Sequence, residues 1–235
     1  MLNLTEHQMR FFGSAFFNTK FYIGTNNYLK VRYISAMIRK LWVFMAAMGG
    51  VIALSNVLVQ YQLGDWLTYG ALTYPLAFLV TDVVTRLHGS VAARRVIGVG
   101  FVVGIICSFL AELVDLTTLR IAIGSATAFI VAQSLDVQVF ERLRNLAWWK
   151  TPIISSTIGS LIDTFIFFSI AFSGVTYAVF ADGNDWALEQ IPLLGIGPVF
   201  PLWVSLAVAD LFVKIVLLPI LLIPYRALTN KFQIT

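Results

Sequence analysis

Charge is scarce in this chain. Asp, Glu, Lys and Arg make up 12% of its 235 residues, against about 25% in an ordinary soluble domain. Cysteine is nearly absent. Cys107 stands alone in an apolar run, which excludes a disulfide framework and a cysteine metal cluster and reads as a small buried hydrophobe. Histidine is limited to His7 and His88, both outside the apolar runs, so a nucleophile–His–Asp constellation has no histidine at membrane depth. No G-x-x-x-x-G-K-[ST] loop is present to cradle a nucleotide phosphate, and no H-E-x-x-H or paired Cys/His spacing to hold zinc. These absences argue against an enzyme, a resident cofactor and a metal, and against transport driven by ATP hydrolysis within this chain. The first 40 residues also lack the compact apolar stretch of a cleavable signal peptide.

What the chain has is hydrophobicity: 59% apolar residues and a mean hydropathy of +0.84. Runs of about 20 mostly apolar residues are long enough to cross a bilayer as helices. Six are expected, at 41–61, 67–86, 96–113, 119–140, 152–180 and 198–225, the last two with length to spare for tilt. The fold class is therefore an all-α membrane protein. A basic N-terminal extension (1–40) precedes a six-helix domain (41–225), and a short tail (226–235) follows.

The Lys and Arg residues set the orientation. Of the 16, all but Arg120 and Lys214 fall in the extension, in the even-numbered loops or in the tail. The odd-numbered loops carry Asp65, Glu112, Asp115, Asp182, Asp185 and Glu189 instead. Basic residues stay on the cytoplasmic side, so both termini are expected there. This distribution also makes a nucleic-acid partner unnecessary as an explanation of the net charge of +4. The extension interleaves Phe11, Phe12, Phe16, Phe17, Phe21 and Tyr22 with basic residues, a pattern for either a cytoplasmic extension or an interfacial amphipathic segment. Trp148 and Trp149 beside Lys150 fit the inner aromatic belt. Ala46 with Gly50, and Gly49 with Ala53, give the first span two small-xxx-small pairs. Such pairs serve internal packing, a homodimer or the docking of an energising partner.

Four aspartates interrupt the apolar runs: Asp82, Asp136, Asp163 and Asp210. A carboxylate at the bilayer centre costs about 2.5–3.5 kcal/mol on insertion scales, and such residues face a cavity or a partner. Each has a polar companion three or four residues away: Arg86, Gln133, Ser160 and Lys214 respectively. That spacing puts both members on one helix face. Asp210 with Lys214 suits a structural ion pair and a site wall equally, and Asn56, beside Ser55, suits a helix–helix link and a ligand contact equally. Converging carboxylates and amides match a polar, nitrogen-rich small molecule, because a carboxylate accepts two parallel N–H bonds from a guanine-like edge as it does from a guanidinium.

At these residues the chain resembles the queuosine precursor transporter family. The resemblance rests on Ser55-Asn56, Tyr74-Pro75, Thr81-Asp82 followed by Arg86, Ala93-Arg94-Arg95, and Gln133-Ser134-Leu135-Asp136-Val137 with Phe140, Arg142 and Arg144. Trp148-Trp149, Ser156-Thr157, Gly159-Ser160 with Asp163-Thr164, and Asp210 with Lys214 continue it. The family is related to vitamin uptake transporters and to the substrate-binding subunits of energy-coupling-factor transporters. The resemblance implies a bacterial inner-membrane importer of 7-deazaguanine-type precursors of a modified tRNA base, 7-cyano-7-deazaguanine or its aminomethyl analogue. It puts Asn56, Asp82, Gln133, Asp136, Asp163, Asp210 and Lys214 on motif positions as substrate-binding candidates. Two features depart from the family pattern: Ser160 stands where Asn is usual, and the basic extension is longer. Two other classes stay open, a binding subunit served by a separate ATP-driven module and an intramembrane enzyme relying on acidic dyads.

The charge distribution generates the first prediction. Reporters fused after Lys40, within 86–95, within 142–150 and after Arg226 should report cytoplasm, and those near Asp65 or Asp185 the opposite side. A periplasmic signal from the 142–150 loop would defeat the six-span reading.

Overall fold

The computed structural model describes residues 41–180 and 185–233. The expectations for 1–40 and for the last two residues of the tail lie outside them. Phe44–Thr235 form one compact unit; of the other, Met1–Val43, only Leu41–Val43 are described, as the first residues of α1. The helices are α1 (Leu41–Leu58), α2 (Tyr69–Thr73), α3 (Pro75–His88), α4 (Ser90–Glu112), α5 (Leu119–Leu143), α6 (Lys150–Phe172), α7 (Gly174–Phe180) and α8 (Leu202–Gln233). Two short antiparallel ribbons join them: β1 (Gln62–Leu63) with β2 (Leu67–Thr68), and β3 (Gln190–Pro192) with β4 (Val199–Pro201).

Five of these helices, α1, α4, α5, α6 and α8, are each long and apolar enough to cross a bilayer. The second expected span is instead divided. Pro75 has no N–H to give to the preceding turn, so α2 closes at Thr73 and α3 starts afresh with Pro75 in its first turn. At 1.5 Å per residue, the 14 residues of α3 reach only about 21 Å, short of the roughly 30 Å hydrocarbon layer. The fifth expected span is shorter than its apolar run. Ser173 takes an extended conformation (φ −69°, ψ 150°), ending α6 at Phe172 and leaving α7 as a separate seven-residue piece. The sixth begins later, because Val199–Pro201 pair as β4, and continues through Pro219 and Pro224.

The packing reverses the pattern of a water-soluble protein. Outward faces carry Val102, Ile105, Ile106 and Phe109 on α4, Phe165 on α6, and Phe212, Ile220 and Ile223 on α8. The buried stripe of α6 reads Pro152, Ser155, Ser156, Gly159, Ser160, Asp163 and Thr164, a three-and-four spacing of small and polar residues on one face. The facing stripe of α5 carries Gly124, Ala128, Ala132, Gln133, Asp136 and Phe140. α5 and α6 pack along their lengths, α8 lies against α6 and α3, and α4 against α5 and α3. The short α3 is thus enclosed by longer neighbours, with Thr81, Asp82 and Thr85 all buried. α1 meets α4 through Gly49, beside Val103, and through Met48, beside Gly100.

Gly159 makes the central crossing. A Cβ there would stand 2.6 Å from a Phe78 ring carbon and 3.3 Å from Cβ of Asp136, so only glycine lets α6 approach α3 and α5 this closely. Gly89 makes the sharp turn between α3 and α4 at φ 81°, a conformation that costs other residues more. Gly159→Ala should therefore destabilise the bundle by about 1–3 kcal/mol, the usual cost of overpacking. It should lower the thermal midpoint of the purified protein, whereas Gly98→Ala, with open space at its Cβ, should not. Equal midpoints for parent and Gly159→Ala would remove the close-approach role.

Candidate functional site

Lys214 organises the first of two polar groups inside the bundle. Its Nζ lies 2.7 Å from Oδ2 of Asp163 on α6 and 2.6 Å from Oδ2 of Asp210 one turn back on α8. Thr164 accepts from the same ammonium at 3.2 Å and donates to Asp210 at 2.8 Å. The Tyr74 hydroxyl donates to the other Asp163 oxygen at 3.2 Å, and its ring lies 5.3 Å from Nζ in a cation–π contact. Phe78 and Phe129 pack edge-on against the Tyr74 ring. The i,i+4 pair legible in the sequence is therefore half of a group that ties α8 to α6 and to the α2–α3 junction. Two carboxylates share one cation.

Among the described residues the second group has no such cation. Asp82 on α3 and Asp136 on α5 face one another across Ser156 of α6. The Ser156 Oγ lies 2.9 Å from Oδ2 of Asp82 and 3.3 Å from Oδ1 of Asp136. Ser155 adds a longer contact of 3.5 Å to Oδ1 of Asp82. The Arg86 companion does not serve Asp82. Its guanidinium donates to the Arg144 carbonyl at 2.9 Å, and Arg144 donates back to the Arg86 carbonyl at 3.3 Å and to Glu141 at 2.8 Å. Extending along the helix toward its end satisfies a long cation better than folding back toward a buried carboxylate.

Gln133, one turn before Asp136, accepts from Thr81 Oγ at 2.6 Å through Oε1. This fixes the amide with its NH2 directed elsewhere. Among the described residues, three buried polar atoms in this part of the bundle have no hydrogen-bond partner: Gln133 Nε2, Asp136 Oδ2 and Ser160 Oγ. They supply a donor, an acceptor and a hydroxyl from α5 and α6, at the level where Gly159 brings those helices together. Asn56 stands apart from both groups, its amide donating to the Ile52 carbonyl of its own helix at 2.9 Å. The hydroxyl of its neighbour Ser55 makes the interhelical contact, 2.9 Å from Thr73.

The residues that sequence reasoning did not single out as site members are Tyr74, Thr81, Ser155, Ser156 and Thr164. Their signal was present. Thr81 and Thr164 are adjacent to site residues, Ser155 and Ser156 lie about two turns before Asp163 on α6, and Tyr74 immediately precedes the helix that carries Asp82. A cavity of about 20 Å³ is bounded by Asp82, Ser156, Pro152, Phe78, Leu218 and Tyr225, the space of roughly one water molecule. Among the described residues no cluster of three or more His, Cys, Asp or Glu forms a metal-ligand set.

The family model described as "Putative vitamin uptake transporter" matches residues 68–228, a stretch containing every candidate site residue except Asn56. The chain is 43% identical over 121 residues to a Haemophilus influenzae protein named "Probable queuosine precursor transporter", covering 45% of this chain and 52% of that one. It is 36% identical over 141 residues to the "Queuosine precursor transporter" of Escherichia coli, covering 52% and 64%. To the "Probable queuosine precursor transporter" of Bacillus subtilis it is 31% identical over 131 residues, covering 46% and 57%. The matches thus span between about half and two thirds of each relative's length. No solved structure matches the chain.

The shared ammonium sets the prediction for this site. Lys214→Met leaves the buried Asp163 carboxylate and the partly buried Asp210 carboxylate uncompensated, and breaking a buried ion pair in this way costs about 3–5 kcal/mol. The yield of monodisperse protein should collapse. Asp210→Asn leaves a one-to-one Lys214–Asp163 pair and should purify normally. Normal yield of Lys214→Met would show that the ion pair does not hold the fold.

Proposed function

Because the chain belongs to the vitamin uptake transporter family, a family of multi-pass bacterial membrane proteins, we propose that it imports 7-deazaguanine-type queuosine precursors across the inner membrane. The substrates of this reading are 7-cyano-7-deazaguanine and its aminomethyl analogue. The observation that carries it is the trio of buried, partnerless atoms Gln133 Nε2, Asp136 Oδ2 and Ser160 Oγ. Leaving such groups unmade inside the protein costs about 1–3 kcal/mol each, a cost recovered when a ligand supplies the partners. A guanine-like edge does so. Its ring N–H and exocyclic amine donate to the Asp136 carboxylate, and its ring carbonyl accepts from the Gln133 amide. The names of the three relatives support the same substrate class.

In this reading Asp163, Asp210 and Lys214 form the charged wall beside the substrate, and Asp82 fixes the far side of Asp136 through Ser156. Asn56 belongs to the outer contact between α1 and α2. α2 and α3 together complete a sixth, discontinuous crossing, and an even number of crossings returns both termini to the cytoplasmic side with the basic residues. Irregular backbone at membrane depth is tolerated where protein or a water-filled cavity surrounds it, as it is around Tyr74 and Pro75. A bicyclic base exceeds the cavity of about 20 Å³, so substrate entry requires the helices around α3 to separate.

A second reading, a binding subunit served by a separate energising module, draws on α1. Ala46 and Gly50 are exposed, and nothing lies within 4 Å of the Gly50 Cβ position. That leaves a smooth outward face for a partner helix. Purified chain in vesicles separates the two, because a binding subunit alone binds substrate without accumulating it.

Cells unable to synthesise the precursor provide the test, with tRNA queuosine content as readout. Expression of the chain should restore queuosine when precursor is supplied at low concentration. Gln133→Ala and Asp136→Asn each remove or weaken a contact worth about 1.5–3 kcal/mol, so roughly ten- to a hundredfold more precursor should be needed. Parental dependence on precursor in both variants, at normal membrane levels, would move the substrate site elsewhere.

A further inference from the structure

Among the described residues the bundle holds two carboxyl pairs, and it compensates one of them with a cation of its own. Asp163 and Asp210 share the Lys214 ammonium. Asp82 and Asp136 share a serine hydroxyl. The charged and titratable groups on the helices around the second pair are Arg86 and His88 on α3, Arg94, Arg95, Cys107 and Glu112 on α4, Arg120, Glu141 and Arg142 on α5 with Arg144 just beyond it, Lys150 and Asp163 on α6, and Asp210, Lys214, Tyr225, Arg226 and Lys231 on α8. Arg86 and Arg144 are engaged with backbone carbonyls and Glu141. From α6, the contacts to the pair are the hydroxyls of Ser155 and Ser156.

Counting protons shows what is missing. Ser156 Oγ contacts Asp82 at 2.9 Å and Asp136 at 3.3 Å, and Ser155 Oγ contacts Asp82 at 3.5 Å and the Pro152 carbonyl at 3.4 Å. Two hydroxyls bring two protons to four oxygen–oxygen contacts. A hydroxyl donates once and otherwise accepts, and an ionised carboxylate has nothing to donate. Ser156 therefore bridges both carboxyls favourably only if one of them is the acid. Like charges this close do not both persist away from water.

We propose that Asp82, Ser156 and Asp136 together hold one exchangeable proton, and that this proton is the ion coupled to solute movement. With the acid on Asp136, its O–H donates to Ser156 Oγ while the Ser156 O–H donates to Asp82. A concerted shift passes the Asp136 proton to Ser156 and the Ser156 proton to Asp82. Total charge is unchanged, and the acid has moved from α5 to α3. The water-sized cavity against Asp82 and Ser156 gives that proton a route in and out. A metal cation would need an oxygen shell in place of the direct 2.9 Å contact.

The unpartnered Asp136 Oδ2, with Gln133 Nε2 and Ser160 Oγ also buried without partners, supplies the link to solute. A carboxylate accepts a pair of N–H donors with both oxygens, and a carboxylic acid does so with one. Solute arriving at Asp136 therefore favours its ionised form and moves the proton through Ser156 to Asp82. This coupling step rests on the transport reading; the proton site does not.

Infrared spectroscopy of the full chain in liposomes tests the proton without any solute. At neutral pH the parent should show a carboxylic-acid C=O band that shifts in D2O and is indifferent to sodium. Asp82→Asn or Asp136→Asn should abolish it, and Ser156→Ala should move it to higher frequency without loss. If an asparagine variant fails to fold, the Ser156→Ala shift still locates the band. No acid band at neutral pH, a band unmoved by Ser156→Ala, or one erased by sodium would overturn the proposal. In the same liposomes, an inward proton gradient should drive accumulation of 7-cyano-7-deazaguanine and a sodium gradient should not. Accumulation driven by sodium alone would refute the coupling. An intact acid band with no uptake under either gradient would uphold the proton site and count against the transport reading.

Discussion

A single ammonium group at membrane depth anchors the interior of this protein. Lys214 lies within hydrogen-bonding reach of Asp163, Asp210 and Thr164 and beneath the ring of Tyr74, so four side chains from three parts of the chain converge on one nitrogen. Charge in hydrocarbon is tolerated only with partners, and here the requirement for partners dictates helix placement. α8 cannot slide along α6 without separating Lys214 from Asp163, and α6 can approach α3 and α5 this closely only because residue 159 has no side chain. The apolar exterior contributes little to this arrangement, since lipid chains are as apolar as the leucines they touch. Small residues and polar contacts fix which helix faces which.

Much of the molecule was legible in its composition. Apolar runs located the five full-length helices to within a few residues at most ends, because hydropathy over about 20 residues is a strong signal. Intramembrane aspartates marked the polar interior, since nothing else explains a carboxylate there. What the sequence did not reveal was partner choice across helices. Periodicity places Asp82 and Arg86 on one face, yet Arg86 goes to the Arg144 carbonyl and Asp82 to Ser156, 74 residues away. An i,i+4 relation says who can meet within a helix. It is silent on whether a better partner arrives from another.

The second apolar run shows the same limit from the backbone side. Its hydropathy is that of a spanning helix, and Pro75 appears in the sequence as an interruption of unknown severity. Its outcome depends on surroundings. With long helices enclosing α3, the backbone groups freed near Tyr74 stay away from lipid, so the chain restarts as a separate helix instead of kinking through one. The break leaves Tyr74 at the junction with helical dihedrals (φ −58°, ψ −38°), its side chain beside Asp163 and Lys214.

Tyr74 makes that divided segment a lever. It is the last residue before Pro75, its hydroxyl reaches Asp163, and its ring covers Lys214. Any swing of the α2–α3 joint would draw an oxygen off the carboxylate and uncover the ammonium together. The reverse holds too: rearranging the ion cluster withdraws the strut on which the joint leans. Joint and ion cluster thus meet at a single phenol.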